Sequence, residues 1–482
     1  MRRIISSLMM VLLVQIAFAQ KAAVKPGYQL DFIVDGCQQG KVILAYYYGN
    51  KQYIKDSTRV DVSGKFLFKG DTPLEQGIYI VVMPPDNKYF EVVIDDQQHF
   101  KMETEFNNPI AGMKVMGSNE NKEFYTYLKY IGDKKTVTKP WTDAIQELQK
   151  ADSVGYTETA EFKVLKEKLG AVDADVKEYK LNFMNKFPNA FMTKVFHASK
   201  DVEIPDAPLL ENGKVDSTFQ YRYFKQHYWD NIDFSDGRLI RTPVFHGKLE
   251  QFMTKTIYQI PDSINREADI LIEKARANND LFKYVVYWVT QHFETSKQMG
   301  MDAVFVHMAK TYYMTGQAFW ADSTTVAKIS ERAQKLDWSL MGKVAPNLRM
   351  QDPDGTWHEL HKVKADFTIA YFWDPECGHC KKVTPVVKEF YDKFKDELGI
   401  GIFAVSTHVA DKKQEWIDFI KEKNLNWLNL SDPEQKTAYK YLYDIYSTPV
   451  IYLLDKNKKI IAKRLGAEDL ESFIRRYKKM FP

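Results

Sequence analysis

Twelve residues near the C-terminal end, Tyr371-Phe372-Trp373-Asp374-Pro375-Glu376-Cys377-Gly378-His379-Cys380-Lys381-Lys382, decide how the rest of the chain is read. An apolar run over residues 367–373 leads into them and a helix-like run leads out, so a C-x-x-C pair stands where a strand gives way to a helix. A dithiol at that junction points to redox chemistry, because a helix start favours the thiolate of the first cysteine. Half of a zinc site uses the same spacing. A tetrahedral ion needs a second pair of ligands, and the one further cysteine, Cys37, lies far upstream. His379, between the cysteines, could not join the same ion without strain. Neither a metal nor a cofactor is expected.

The chain of 482 residues is long enough for about two to four domains. With 45% hydrophobic and 14% aromatic residues it can bury substantial cores, which excludes a disordered or fibrous protein. The net charge of +3, without a basic stripe, gives no support for nucleic-acid binding. Residues 1–19 read as a signal peptide. Arg2 and Arg3 form a positive start, residues 4–18 are mostly apolar, and Ala17-Phe18-Ala19 supplies a cleavage pattern before Gln20. No cysteine follows that site, which does not fit a lipoprotein anchor. A retained membrane anchor is the alternative, but the run is short for a bilayer span of about 20 apolar residues and no later run reaches that length. The mature protein is therefore expected to be exported and soluble, without stable membrane insertion.

Export changes the reading of the cysteines. Three of them in a chain this size are not a disulfide framework. The ring closed by Cys377 and Cys380 removes almost no chain entropy, so that pair is better suited to chemistry than to stability. Cys37 reads as a small buried or unpaired side chain.

Along the chain, residues 24–117 read as an antiparallel β-sandwich. Tyr28, Leu30, Phe32 and Val34 alternate with polar neighbours, and Val42, Leu44, Tyr46 and Tyr48 then alternate again before Gly49-Asn50. Shorter runs follow at 60–62, 66–68, 78–82 and 90–94, separated by turn residues such as Ser63-Gly64 and Pro84-Pro85-Asp86-Asn87. No His, Asp or Glu constellation there carries chemistry, and a binding or docking module is the default. Residues 119–340 take on helical periodicity and read as a helical domain. Its histidines (His197, His227, His246, His292 and His307) lack metal-ligand spacing and read as core or surface residues. The aromatic run at 219–224, with Tyr228-Trp229, reads as core at helical spacing, with a peptide or glycan groove as the alternative. From residue 344 to 482 the texture is strand, helix, strand, helix, closing with a hairpin around Asp455-Lys456-Asn457 and a last helix at 470–480, an α/β domain. The fold class is multidomain α+β.

The C-terminal region resembles the exported thioredoxin-like proteins of the TlpA/ResA type. The likeness rests on the strand ending in Phe372-Trp373, the Cys377-Gly378-His379-Cys380 motif opening a helix, and Thr448-Pro449 ahead of a strand. It implies a thioredoxin-like fold over 344–482, a redox-active disulfide between Cys377 and Cys380, and a cis proline at Pro449 facing the dithiol. It also implies catalytic roles for Cys377, Cys380, His379 and Pro449, with substrate contacts at Trp373 and Thr448. The strands before residue 119 resemble the N-terminal β-domain of Gram-negative envelope proteins of this kind, which places the protein in the periplasm. Two residues depart from the family: Tyr371 stands where thioredoxin has a buried aspartate, and Val383 where ResA-like proteins carry a glutamate. Glu376 and Asp374 remain as candidate proton acceptors.

The expected reaction is disulfide exchange with protein substrates, as reductase or isomerase, with a membrane electron donor restoring the dithiol. His379, Lys381 and Lys382 add positive charge beside Cys377, and Thr448 offers backbone hydrogen bonds to an extended substrate segment. Two other readings stand beside it. One is a thiol peroxidase, although Ala370 and Asp374 occupy the positions where peroxiredoxins place Pro and Thr or Ser. The other is a non-enzymatic envelope protein that binds or docks through its first two domains.

Overall fold

Alternation of apolar and polar residues builds the first part of the chain. The computed structural model describes residues 27–407 and 412–481. In β1 (Tyr28–Asp35), Tyr28, Leu30, Phe32 and Val34 all point inward. It is followed by β2 (Gly40–Tyr48), β3 (Lys51–Val60), β4 (Lys65–Gly70), β5 (Gly77–Met83), β6 (Lys88–Ile94), β7 (His99–Glu105) and β8 (Lys114–Met116). They form two four-stranded sheets, in the orders β4-β1-β7-β8 and β3-β2-β5-β6. Both sheets feed one core, with Phe32 stacked on Phe66 (centroids 5.1 Å apart) and meeting Phe68 and Phe100 edge-on.

The sandwich is not wholly antiparallel. β1 pairs antiparallel with β4 but parallel with β7. The chain crosses from β6 in one sheet to β7 in the other, and β7 enters alongside β1 in the same direction. β7 carries the same alternation, with Phe100, Met102 and Thr104 inward between polar neighbours, and adds a strand to those expected from the sequence. The expected run at 60–62 also shifts: the strand is Lys51–Val60, and Val62 is exposed in the turn beyond it.

Three helices complete this unit: α1 (Asn119–Ala151), α2 (Ala160–Lys186) and α3 (Phe191–Ala198). Ser118 and Thr159 cap α1 and α2, each accepting a backbone N–H three residues on. The compact units divide the helical region expected over 119–340. One unit holds the strands and α1 to α3, up to residue 200, together with 238–246; the other holds 201–237 and the chain from 247 on. The physical reason lies in the burial of α1 and α3. Phe124, Tyr125, Phe191, Met192, Val195 and Phe196 join the same core as the strands.

The second unit draws on α4 (Phe219–His227), the end of α5 (Pro243–Gln251), α6 (Pro261–Ala275), α7 (Asn279–Glu294), α8 (Asp302–Met308) and α9 (Ser323–Asp337). The aromatic run divides: the α4 rings are half-buried, whereas Tyr228 and Trp229 are buried and pack on Phe252. Its strands and helices then run β9 (Arg349–Gln351), β10 (Trp357–Glu359), β11 (Phe367–Trp373), α10 (Gly378–Leu398), β12 (Ile400–Ser406), α11 (Lys413–Glu422), β13 (Leu428–Ser431), α12 (Tyr439–Leu442), β14 (Val450–Leu454), β15 (Ile460–Lys463) and α13 (Leu470–Met480). The strands form one mixed sheet in the order β10-β9-β13-β12-β11-β14-β15. β11 lies inside it, parallel to β12 and antiparallel to β14, and every one of its residues is buried. The helical part is tied to this sheet by Gly342 donating to the Ile460 carbonyl (2.8 Å) and by an ion pair between Lys463 and Asp302.

One side chain finishes a sheet edge in the first unit. Asn121 is fully buried; its carboxamide accepts from the Val93 N–H (2.8 Å) and donates to the Val93 carbonyl (2.7 Å), replacing a missing neighbour of β6. Asn121→Ala leaves both buried backbone groups of Val93 without a partner, and a loss of about 2–4 kcal/mol is expected. Urea unfolding together with exchange of the Val93 amide measures it. An unchanged midpoint and unchanged protection would mean that water substitutes for the carboxamide.

Candidate active site

The site begins with the period-two pattern of β11. Ile369, Tyr371 and Trp373 face the core that includes Cys380, Val387 and Phe390 of α10, while Ala370 and Phe372 face the opposite core. After Trp373 the strand stops at a turn held by its own side chain. Asp374 Oδ1 accepts the Glu376 N–H (2.9 Å), and the Asp374 carbonyl accepts the Cys377 N–H (3.2 Å). Cys377 thereby becomes the N-cap of α10, with extended backbone, and its sulfur accepts the Cys380 N–H at 3.5 Å.

The structure brings together four of the residues expected to act. Cys377 and Cys380 are both free thiols, the first half-buried and the second buried. The Asp374 N–H points at Cys380 Sγ (3.4 Å), and Cys377 Sγ lies 3.4 Å from the Thr448 carbonyl, which its thiol proton can approach. The peptide bond from Thr448 to Pro449 is cis, as the family resemblance implies. His379 is exposed on the first turn of α10. Trp373 departs from its expected role. It is fully buried, packed on Phe419 (5.2 Å) and parallel to Tyr371, so its ring supports the strand and offers no surface to a substrate.

The two sulfurs are electrostatically unequal. Burial works against ionisation of Cys377, but the amides of Cys380 and His379, with the Cys380 and Thr448 side chains, outweigh it and hold this thiol below its ordinary value. Cys380 is pushed up to about 12, chiefly by burial and also by the neighbouring Cys377, against the pull of the Asp374 N–H. Cys377 is therefore the more readily ionised of the two sulfurs, and Cys380 the one that holds its proton. Tyr371, at the family's aspartate position, is also pushed upward, mainly by burial, and shares a 2.8 Å hydrogen bond with the Thr384 hydroxyl. It stays protonated and cannot serve as a base. Val383 is half-buried against the same core, and Glu376 pairs with Lys412. Thr384 was not singled out from the sequence, although its place one turn after Cys380 puts both on one face of α10.

Cys37 lies in the other unit, half-buried, with its thiol raised by that burial. Among the described residues no group of three or more His, Cys, Asp or Glu side chains could hold a metal ion. His307 instead bonds Asp269 (2.9 Å), which also accepts the Tyr312 hydroxyl (2.7 Å).

Comparison with known proteins divides the chain in three. A family model described as the AhpC/TSA family matches residues 341–463. Two models described as domains of unknown function, DUF4369 and DUF5106, match residues 28–124 and 175–336. The chain is 30% identical over 142 residues to the thiol-disulfide oxidoreductase ResA of Bacillus cereus, spanning 28% of this chain and 78% of that protein. The ResA of Bacillus subtilis is 27% identical over 136 residues, or 28% and 73% of the two chains. A solved domain of a possible thiol-disulfide isomerase from Cytophaga hutchinsonii is 46% identical, covering 29% of this chain and 95% of that one, with a TM-score of 0.28.

The Thr448 side chain gives a direct test of the unequal thiols. Thr448→Val keeps the shape and removes a hydrogen bond worth about 1 kcal/mol, so iodoacetamide labelling of Cys377 near neutral pH should slow about fivefold. In the unaltered protein, mass mapping should find Cys377 labelled and Cys380 spared below the ordinary thiol value of about 8.5. Equal labelling of both cysteines would contradict the assignment.

Proposed function

Since the chain belongs to the thioredoxin-like thiol-disulfide oxidoreductases related to ResA, we propose that it exchanges disulfides with protein substrates through Cys377 and Cys380. The observation that carries the reading is the placement of Cys377 Sγ at the start of α10, lowered in pKa, with the Thr448 carbonyl 3.4 Å away. The Cys377 thiolate attacks one sulfur of a substrate disulfide, forming a mixed disulfide and expelling the other substrate sulfur as a thiolate. Cys380 then gives up its proton and attacks Cys377 Sγ, expelling the second substrate thiolate. Two electrons pass to the substrate, and Cys377 and Cys380 are left as a disulfide. A membrane-borne dithiol donor restores them. The high pKa of Cys380 favours this order, since the buried thiol is a poor first nucleophile. His379, exposed beside Cys377, favours the reduced form and makes the couple less reducing than that of thioredoxin.

The reaction is assigned to the periplasm. The leader at 1–19 that supports this lies outside the described residues, and among those described no helix is long and apolar enough to cross a membrane. Expression in a Gram-negative host with N-terminal sequencing of the periplasmic fraction should give a mature start at Gln20. Retention of Met1 would count against export by cleavage.

Insulin reduction driven by dithiothreitol should fall to the uncatalysed rate in Cys377→Ser, and a rate equal to wild type would end the proposal. Cys380→Ser should accumulate mixed disulfides in the envelope, and their absence would reverse the order of attack. Hydrogen peroxide should be consumed no faster than by a free thiol, whereas rapid turnover would favour a peroxidase instead.

A further inference from the structure

Beside the loop that approaches Cys377 lies an open groove of about 550 Å³ that exchange chemistry alone does not use. One wall is a single face of α9, where Lys328, Glu331, Arg332 and Lys335 recur at helical spacing over about 10 Å of helix. The other wall is the segment 440–446, which supplies Lys440, Tyr441 and Tyr446 and runs on directly into Ser447-Thr448-Pro449. Both walls belong to the same compact unit as the dithiol.

The second wall is held in shape from behind. Asp444 is buried, in a left-handed backbone conformation (φ 52°), and its carboxylate pairs with Arg332 of α9 and with Arg464 (3.2 Å). Arg464 also donates to the Asp444 carbonyl (2.9 Å) and lies 4.8 Å from the ring centre of Tyr446. Tyr446 itself is 74% exposed, two residues before Thr448. The groove is thus a formed surface and not a gap between loose loops.

Its charge is one-sided. Four cationic side chains face two carboxylates. Those two are already engaged, Asp444 by the arginines and Glu331 by Lys335 at 2.8 Å. Lys328 and Lys440 are exposed, and neither forms an ion pair among the described residues.

Building on the exchange reading above, we propose that this groove docks an acidic, extended segment of the substrate protein that flanks its disulfide. The carboxylates meet Lys328 and Lys440, and the Tyr441 and Tyr446 rings cover the backbone between them. Continuity with the Thr448 loop selects a peptide over a free anion. Residues 440–446 run on into the Thr448 loop, so a substrate chain lying along that loop has the groove beside it, whereas an isolated phosphate would find exposed ammonium groups and no enclosed donor set.

The full mature chain is tested with labelled cysteine-free peptides, one rich in glutamate and one rich in lysine, by fluorescence anisotropy. The acidic peptide should bind, weaken with added salt, and bind about tenfold less well to the double variant Lys328→Glu, Lys440→Glu, while the basic peptide should not bind the wild type. With disulfide-containing versions, kcat/KM for the acidic substrate should fall about tenfold in the double variant, and reduction of a small neutral disulfide should be unchanged. Equal binding of both peptides, indifference to the charge reversal, or displacement by inorganic phosphate as effective as by unlabelled peptide would overturn the proposal. If the acidic peptide binds in this charge-dependent way yet no disulfide is reduced faster than by Cys377→Ser, docking stands and the exchange reading falls.

Discussion

A single sulfur fixed at the start of a helix sets the terms for the rest of this site. Cys377 Sγ accepts the Cys380 amide and lies against the Thr448 carbonyl, so one atom joins helix α10 to the loop before β14, while the Asp374 amide just past β11 reaches the second sulfur, Cys380 Sγ. Those three elements come together because β11 is buried along its whole length, inside a sheet with cores on both faces. A strand with two buried faces tolerates no slip in register, since a shift of one residue would exchange Tyr371 and Trp373 with Phe372 between the cores. The rigidity of the strand is therefore what fixes the sulfur.

The division of labour between the thiols follows from depth and not from residue type. Cys377 is close to water and to unpaired amide donors, while Cys380 is buried three residues further along the same helix. Burial raises both, and donors overcome it only at Cys377. Tyr371 extends the same logic. A carboxylate at that depth could relay the Cys380 proton; a hydrogen-bonded phenol held above its ordinary value cannot. The carboxylates next to the motif in sequence are already engaged, Asp374 by the Glu376 amide and Glu376 by Lys412.

Much of the C-terminal region was legible because its signals are local. The runs at 367–373 and 470–480 coincide with β11 and α13, since each is a compact apolar or amphipathic segment bounded by turn residues. The N-terminal strands were half legible. β1 alternates cleanly, β2 does so only up to the register shift at Leu44 and Ala45, and β3 is an edge strand exposed along most of its length, so it carries no apolar period to read. The parallel pairing of β1 with β7 was hidden for a different reason: it depends on the path of the chain between sheets, which no short window contains. At the site, Cys377, Cys380 and Thr448 could be placed from their motifs, whereas Trp373 was misjudged. The family resemblance implied contact with substrate, but the two-residue period of β11 turns the ring inward. The Thr384 partner of Tyr371 needed the helix phase and the strand phase together.

The helices ahead of the sheet belong in this account because α9 does more than pack. Arg332 reaches from it to the buried carboxylate of Asp444, and Asp444 sits four residues before Thr448 in the chain. A carboxylate this deep would be strongly unfavourable without its two guanidinium partners, so the path of the loop is conditioned on α9 being in place. The loop in turn carries the carbonyl that approaches Cys377 Sγ. A thioredoxin-like sheet alone could carry the sulfur chemistry, but the surface next to it would lack one wall. The helical segment thus shapes the surface beside the dithiol without touching either sulfur, because its link to the site runs through the Arg332–Asp444 pair and the chain that follows it.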